Sequence, residues 1–209
     1  MGRRKREKQG VRWAVLTLTL MALLALAGAD SWMPRLRVKV LTLAPKPAWI
    51  REEIIEIDGD SRKGTKLEGI RDIVIHYVGN PGTGAMQNRN WYANPESEVS
   101  SHFLVGLEGE VIQCIPLDEK SSASNHRNKD TISIEVCHPD GSGKFTEQSY
   151  KALVELTAWL VESAWLDPED LLRHFDITGK ICPKYFVEQE DSWLQFRADV
   201  AAAVEGGQK

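Results

Sequence analysis

Histidines and cysteines are the residues of this chain best suited to hold a metal ion. His76 lies near the carboxyl end of the apolar, β-branched run 73–78 (IVIHYV), which predicts a buried strand. His174 opens the segment HFDITGKICPKYF, and Cys182 follows eight residues later across a glycine-containing loop. If they converge, these side chains offer two nitrogens and one sulfur and leave a fourth position for water. That is the ligand set of a catalytic zinc site, because a structural site is closed by four protein ligands.

Each candidate also has a simpler interpretation when it is taken alone. A lone strand histidine such as His76 is more often a hydrogen-bonded core residue than a metal ligand. Lys180 places a cation two residues before Cys182, and taken alone it is a solvated loop lysine. Glu135 offers a carboxylate in the mostly apolar run TISIEVC, and taken alone it is as readily an edge-strand residue that faces solvent. Cys114 and Cys137 lie in β-like runs, where they either pair or are simply buried, and Cys182 is then the odd thiol.

Local patterns predict the elements that position these residues. Strands are expected at 73–78, 101–107, 110–116 and 131–137, with Glu108-Gly109 as a hairpin turn. A short helix is expected at 85–94, where Trp91 and Tyr92 either pack it onto the sheet or line the cleft as platforms for sugars. Thr146 caps a long amphipathic helix, a short helical piece follows at 168–170, and Trp193, Phe196, Val200 and Val204 mark a last helix. The predicted fold class is α/β, with a single mixed central β-sheet flanked by helices.

The N-terminal segment differs from the rest of the chain in charge and hydrophobicity. Six basic residues within the first twelve precede the uncharged run 13–29 (WAVLTLTLMALLALAGA). A basic head before an apolar run is typical of a signal peptide or an N-terminal membrane anchor, so we assign 1–29 to one of these. We predict a tether without helical period at 30–47, a catalytic domain at 48–205 and a tail at 206–209. The domain would then be extracytoplasmic, either secreted or anchored.

The body of the protein is acidic. Without 1–29 the chain has 20 basic and 29 acidic residues, a net charge of −9. So acidic a body excludes binding dominated by nucleic-acid phosphates. We therefore expect no nucleic-acid partner, membrane contact only through the N-terminal segment, and a monomer.

Four blocks together resemble one known family. They are IVIHYV, SSHFLVGLEGEVIQCIP, DTISIEVC and RHFDITGKICP, in that order along roughly 68–204. This chain resembles the zinc-dependent N-acetylmuramoyl-L-alanine amidases, the family of phage-lysozyme-type amidases and peptidoglycan recognition proteins. The resemblance implies cleavage of the amide between N-acetylmuramic acid and L-alanine in peptidoglycan, with one Zn²⁺ per chain.

The resemblance also implies roles for individual residues. His76, His174 and Cys182 match the zinc ligands, Glu135 matches the general base, and Lys180 matches the residue that stabilises the oxyanion. Two positions depart from the family pattern. Ser101 stands where phage-lysozyme-type members have a catalytic tyrosine, which strengthens the role of Glu135. The loop SSASNHRNKD replaces a segment that contains Trp-His. Its Asn125 and His126 either bind substrate, as we expect, or belong to a solvated loop.

Two other functions stay open. A peptidoglycan-binding module without catalysis is one alternative, although binding-only members usually lack the cysteine ligand that Cys182 provides. A cysteine hydrolase that uses Cys182 with His174 is the other, and it ranks last because the cysteine does not stand at a helix start that would lower its pKa.

Overall fold

The architecture is a single mixed sheet with helices on both faces. The computed structural model describes residue 28 and residues 30–207. Within these residues, six strands pair in the order β1-β4-β3-β5-β2-β6. They are β1 (Ile50–Glu52), β2 (Asp72–Tyr77), β3 (Phe103–Val105), β4 (Val111–Gln113), β5 (Thr131–Val136) and β6 (Leu171–Arg173). β3, β5, β2 and β6 are parallel to one another, whereas β4 is antiparallel to β3 and parallel to β1. The predicted α/β fold class is confirmed.

Alternation along the strands separates two hydrophobic clusters. Phe103 and Val105 of β3 belong to the main core, and Leu104 belongs to a smaller cluster on the opposite face. Helix α2 (Ala85–Tyr92) covers the smaller cluster, and α3 (Glu147–Ser163) and α6 (Glu190–Gly207) pack together over the main core. Four short helical segments complete the fold: a 3₁₀ turn at Asn125–Lys129, another at Pro168–Asp170, α4 (His174–Thr178) and α5 (Lys184–Glu188).

The segment predicted to be a tether is instead a helix, which we label α1 and which covers 30–43. Pro34, Val38 and Leu41 fall at i, i+4 and i+7, so one face of α1 turns toward the body. Leu41 is buried in the main core, and Val38 packs against it. The backbone amide of Ile70 also donates a hydrogen bond to the carbonyl of Pro34. The expectation of irregular chain was wrong for 30–43, because Pro34 is the only proline inside α1 and the burial of this face outweighs its effect, while Pro45 and Pro47 follow the end of the helix.

Most of the predicted elements are present, with shorter strands than the patterns suggested. The β3–β4 hairpin turns through Gly109, whose φ of +84° suits glycine. Thr146 caps α3, since its hydroxyl accepts a hydrogen bond from the amide of Ser149. The last helix runs to Gly207, so the first two residues of the expected tail are helical.

The apolar run 13–29 lies almost wholly outside the described residues, and so does the basic cluster before it. Among the helices that the structure does describe, none combines the length and the apolar composition needed to cross a bilayer. The assignment of 1–29 as a signal peptide or an anchor therefore stays a prediction.

Candidate functional site

Three neighbouring parallel strands bring the candidate ligands to one edge of the sheet. His76 is the penultimate residue of β2 and pairs in register with Glu135 of β5. On the other side of β2, Ile75 pairs with Arg173, the last residue of β6, and His174 follows it directly. Because the carboxyl ends of parallel strands meet at one edge, the register places His76, Glu135 and His174 side by side. Ile75 packs in the main core, so His76 turns to the face that carries α2.

A loop brings the third donor to the same point. Gly179 has a φ of +77° and ends α4, and the backbone amide of Phe175 donates a hydrogen bond to the carbonyl of Cys182. One donor atom from each of His76, His174 and Cys182 lies within 4.8 Å of the others. His76 Nδ1 and Cys182 Sγ lie 3.8 Å apart.

All three donors are buried, with exposed fractions of 1% for His76, 5% for His174 and 2% for Cys182. Burial lowers the pKa of His76 well below its usual value, and His174 and Lys180 act in the same direction. The pKa of His174 is lowered by burial and then by Lys180. Both imidazoles are therefore neutral at pH 7 and have a lone pair for a metal.

The surroundings of Cys182 favour a thiolate only when it is bound to a cation. Burial raises the pKa of the Cys182 thiol to about 12, and Glu135 adds to the rise. Without a cation the sulfur therefore stays protonated, whereas a coordinated divalent metal deprotonates a thiol outright. Two nitrogens and one sulfur at these separations are a donor set that fits zinc.

Two residues of the loop before β5 orient the histidine rings. Ser124 Oγ lies 3.2 Å from His76 Nε2, and Asn125 Oδ1 lies 2.7 Å from His174 Nε2. Each contact occupies one ring nitrogen and leaves Nδ1 for a metal, the usual arrangement of hydrogen-bonded histidine ligands. Ser124 was not predicted, because nothing in the sequence of a polar loop tells which hydroxyl points inward.

The two residues expected to bind substrate lie in different surroundings. Asn125 contacts a candidate ligand and lines a cavity beside it. His126 is exposed and is not among the residues that line the cavities around the donors. Contact of either residue with substrate stays a prediction.

Glu135 is the acidic group of the site. Its Oε1 lies 4.0 Å from His76 Nδ1, and its side chain is 18% exposed. Its Oε2 is buried with no hydrogen-bond partner among the described residues. Burial raises the pKa of this carboxyl to about 8, while Lys180 acts in the opposite direction. Without a cation this carboxyl is therefore mostly protonated at pH 7, whereas a divalent metal at the neighbouring donors would favour the ionised form that accepts a proton.

These groups line a cavity of about 540 Å³, and Lys180, Trp91 and Tyr92 line it too. Lys180 is exposed at its edge. At the position where the family resemblance places a tyrosine, Ser101 is fully buried. Tyr92 of α2 supplies a phenol nearby instead, with its hydroxyl 3.4 Å from Ser101 Oγ. No sequence pattern predicts this contact, because the two residues come from different elements.

The other histidines and cysteines do not join the site. His102 is buried between Ser133 and the carbonyl of Glu119, and its hydrogen bonds to both give it a structural role. His138 hydrogen-bonds the carbonyl of Asp140 in a turn. Cys114 and Cys137 are buried and free, so of the two alternatives left open for them, burial without pairing is confirmed.

Comparisons with known proteins agree with this geometry. Residues 66–185 match a family model described as N-acetylmuramoyl-L-alanine amidase. The N-acetylmuramoyl-L-alanine amidase BlyA of Bacillus subtilis (strain 168) is 30% identical over 173 residues, which cover 73% of this chain and 47% of BlyA. The amidase CwlL of Bacillus licheniformis is 26% identical over 166 residues, which cover 71% of this chain and 46% of CwlL. The chain thus spans about half the length of these curated relatives.

The fold is also found among solved structures. The catalytic domain of XlyA superposes with a TM-score of 0.64 at 23% identity, covering 72% of this chain and 98% of that one. At this level of identity the likeness establishes a shared fold.

Proposed function

Because this chain belongs to the N-acetylmuramoyl-L-alanine amidase family, we propose that it is a zinc hydrolase that cleaves the amide between N-acetylmuramic acid and L-alanine in peptidoglycan. One observation carries the proposal. The buried donors of His76, His174 and Cys182 converge within 4.8 Å beside the unpartnered Glu135 oxygen, in an open cavity.

One Zn²⁺ per chain would be held by His76, His174 and Cys182. Zinc supplies Lewis acidity, which lowers the pKa of a water molecule and polarises a carbonyl. Ser124 and Asn125 contact Nε2 of the two imidazole rings, so Nδ1 of each ring is the nitrogen left for the metal. Hydrogen bonds of this kind orient histidine ligands and restrict their rotation.

Two further residues would carry out the proton and charge steps. Glu135 takes the proton from the attacking water and then gives it to the nitrogen of the leaving L-alanine. Its Oε2 is suited to this because no other described group competes for it. Lys180 places its ammonium at the cavity, where it stabilises the negative charge that develops on the carbonyl oxygen.

The cellular setting of this activity is part of the proposal. The domain acts outside the cytoplasm on peptidoglycan, is secreted or anchored through 1–29, and is a monomer without a nucleic-acid partner. We extend the catalytic domain to include α1, because Leu41 and Val38 contribute to the same core as the sheet. Its bounds are then about 30–207 rather than 48–205.

The two alternatives fit the site less well. A peptidoglycan-binding module without catalysis has no need for three converging donors beside a free carboxyl oxygen. A cysteine hydrolase needs a thiolate, and burial raises the pKa of Cys182 to about 12.

The test measures zinc content and the release of free L-alanine amino groups from purified cell wall. The zinc-loaded native chain should release them. Glu135→Gln should keep its zinc and lose at least about 100-fold in rate, the usual contribution of a general base. Glu155→Gln is the matched control, since Glu155 is exposed on α3. If the zinc-loaded native protein frees no L-alanine amino groups, the proposed amidase activity is wrong. If Glu135→Gln is fully active, Glu135 is not the general base.

A further inference from the structure

One groove runs past the candidate metal ligands and has two arms. The cavity of about 540 Å³ described above forms the first arm. A second cavity of about 530 Å³ forms the other. The two share part of their lining, namely Val99, Ser122, Ala123, His174 and Lys180. Since both cavities are lined by His174 and Lys180, a molecule bound at these residues can extend into both arms.

The first arm is aromatic and uncharged beyond the site itself. Among the described residues that line it, only Glu135 and Lys180 carry charge, and both belong to the candidate site. Trp91 lies in the last turn of α2, lines this arm and is 49% exposed. The buried residues of α2 are others, Ala85, Asn88 and Tyr92. Packing of α2 onto the sheet therefore does not account for Trp91, and the indole remains available to a ligand.

Side-chain amides accompany this indole. Gln87 comes from the same helix and Asn80 from the turn after β2, and both line the first arm. Asn88 also lines it, but its amide nitrogen donates to Thr83 and Gly84 within the protein. An aromatic surface with a few amides suits a neutral ring that has an apolar face of C–H groups and polar substituents at its edge.

The second arm is charged. Asp60, Lys63 and Glu98 line it together with Asn125 and Asn128. Lys63 and Asp60 pair at 2.6 Å, and both are largely exposed. Charges of both signs at an open groove suit a ligand that itself carries charges of both signs.

The substrate of the proposed function has the same asymmetry. On the acyl side of the scissile amide lies a glycan of neutral N-acetylated pyranose rings. On the amine side lies a short peptide with carboxylates and, in its diamino residue, an amine. We propose, on the basis of the proposed function, that the groove has a direction. Trp91 stacks on a pyranose ring of the glycan in the first arm, and the stem peptide leaves along the second arm.

The test uses the two products as separate probes of the full-length, zinc-loaded protein. Peptide-free glycan strands and the free stem peptide are each titrated by calorimetry, and each is added as an inhibitor of wall hydrolysis. Trp91→Ala should weaken glycan binding and raise KM about tenfold with kcat little changed, since the stacking is a uniform binding interaction. Trp91→Phe should recover most of the affinity. Peptide binding should be unaffected by either variant and should weaken with added salt, unlike glycan binding.

Trp49→Ala is the matched control, because Trp49 is 45% exposed and lines neither arm. Circular dichroism checks that each variant is folded. If Trp91→Ala binds glycan as the native chain does, Trp91 is not a platform. If it weakens the peptide instead, the groove runs the other way. Calorimetry measures binding without turnover, so the two proposals can fail separately. If the native chain binds glycan through Trp91 but cleaves no cell wall, the proposed function is wrong and Trp91 is still a platform for a sugar.

Discussion

Leu41→Ala is the most informative perturbation of the fold, because it tests whether α1 belongs to the domain. Leu41 is 1% exposed and lies in the main core, whereas Leu43, two residues further along the same helix, is 83% exposed. Leu→Ala at a buried site costs about 2–5 kcal/mol, since apolar contacts are lost and a cavity remains. A surface groove that Leu41 shares with Leu117 and Trp159 allows some relaxation. We therefore expect a loss in the lower half of the range, about 2–3 kcal/mol.

The assay is unfolding by heat and by urea, followed by far-ultraviolet circular dichroism. For a domain of this size, such a loss lowers Tm by about 4–12 °C. Leu43→Ala is the control, because it makes the same change of helix propensity at an exposed position and should alter stability by less than about 0.5 kcal/mol. Equal stability of the two variants would show that α1 does not pack on the core and would restore the interpretation of 30–47 as a tether.

Two further predictions concern buried histidines. Burial lowers the pKa of His102 from 6.5 to about 4, so between these values the unfolded chain binds a proton there and the folded chain does not. Stability from neutral His102 is thus complete above pH 6.5 and lost as pH falls toward 4, by about 3 kcal/mol at most. Unfolding of His102→Gln measured from pH 7 to pH 4 should show a shallower decline than the native chain. Ser124→Ala frees Nε2 of His76 and should weaken zinc affinity about 10–100-fold in a chelator competition.

Each of these has a clear contrary result. If His102→Gln and the native chain lose stability in parallel between pH 7 and pH 4, His102 does not titrate as its burial indicates. If Ser124→Ala holds zinc as tightly as the native chain, the hydroxyl does not orient the ligand. Ser142→Ala is the control for the serine, since Ser142 hydrogen-bonds Asp140 in an exposed turn.

The parts of the fold that sequence reasoning predicted are those with long or strongly patterned signals. The run 73–78 and the alternation of 131–137 marked β2 and β5, and the amphipathic period after Thr146 marked α3. Three-residue strands such as β1 and β6 are too short to show a period, so the sequence did not reveal them. β6 matters most, because it delivers His174 to the same edge as His76.

Two features of the structure were not predicted from the sequence, and each has a physical reason. α1 was overlooked because Pro34 suggested irregular chain, although Pro34, Val38 and Leu41 keep a helical spacing. The contacts of Ser124 and Asn125 with the histidine rings depend on how a polar loop folds, and no local propensity determines that. The candidate ligands themselves were chosen by residue type and spacing, and the structure brings all three together.

The central claim is that His76, His174 and Cys182 hold a zinc ion required to cleave the muramoyl amide. The most direct measurement follows zinc content and the appearance of free L-alanine amino groups in cell wall for the native chain, Cys182→Ser and the buried control Cys114→Ser. The native chain and Cys114→Ser should each hold one zinc, lose activity with chelator and regain it with added zinc, whereas Cys182→Ser should bind zinc weakly and stay inactive. A Cys182→Ser variant that holds zinc and cleaves as the native chain does, or a native chain that keeps its activity after its zinc is removed, would contradict the account.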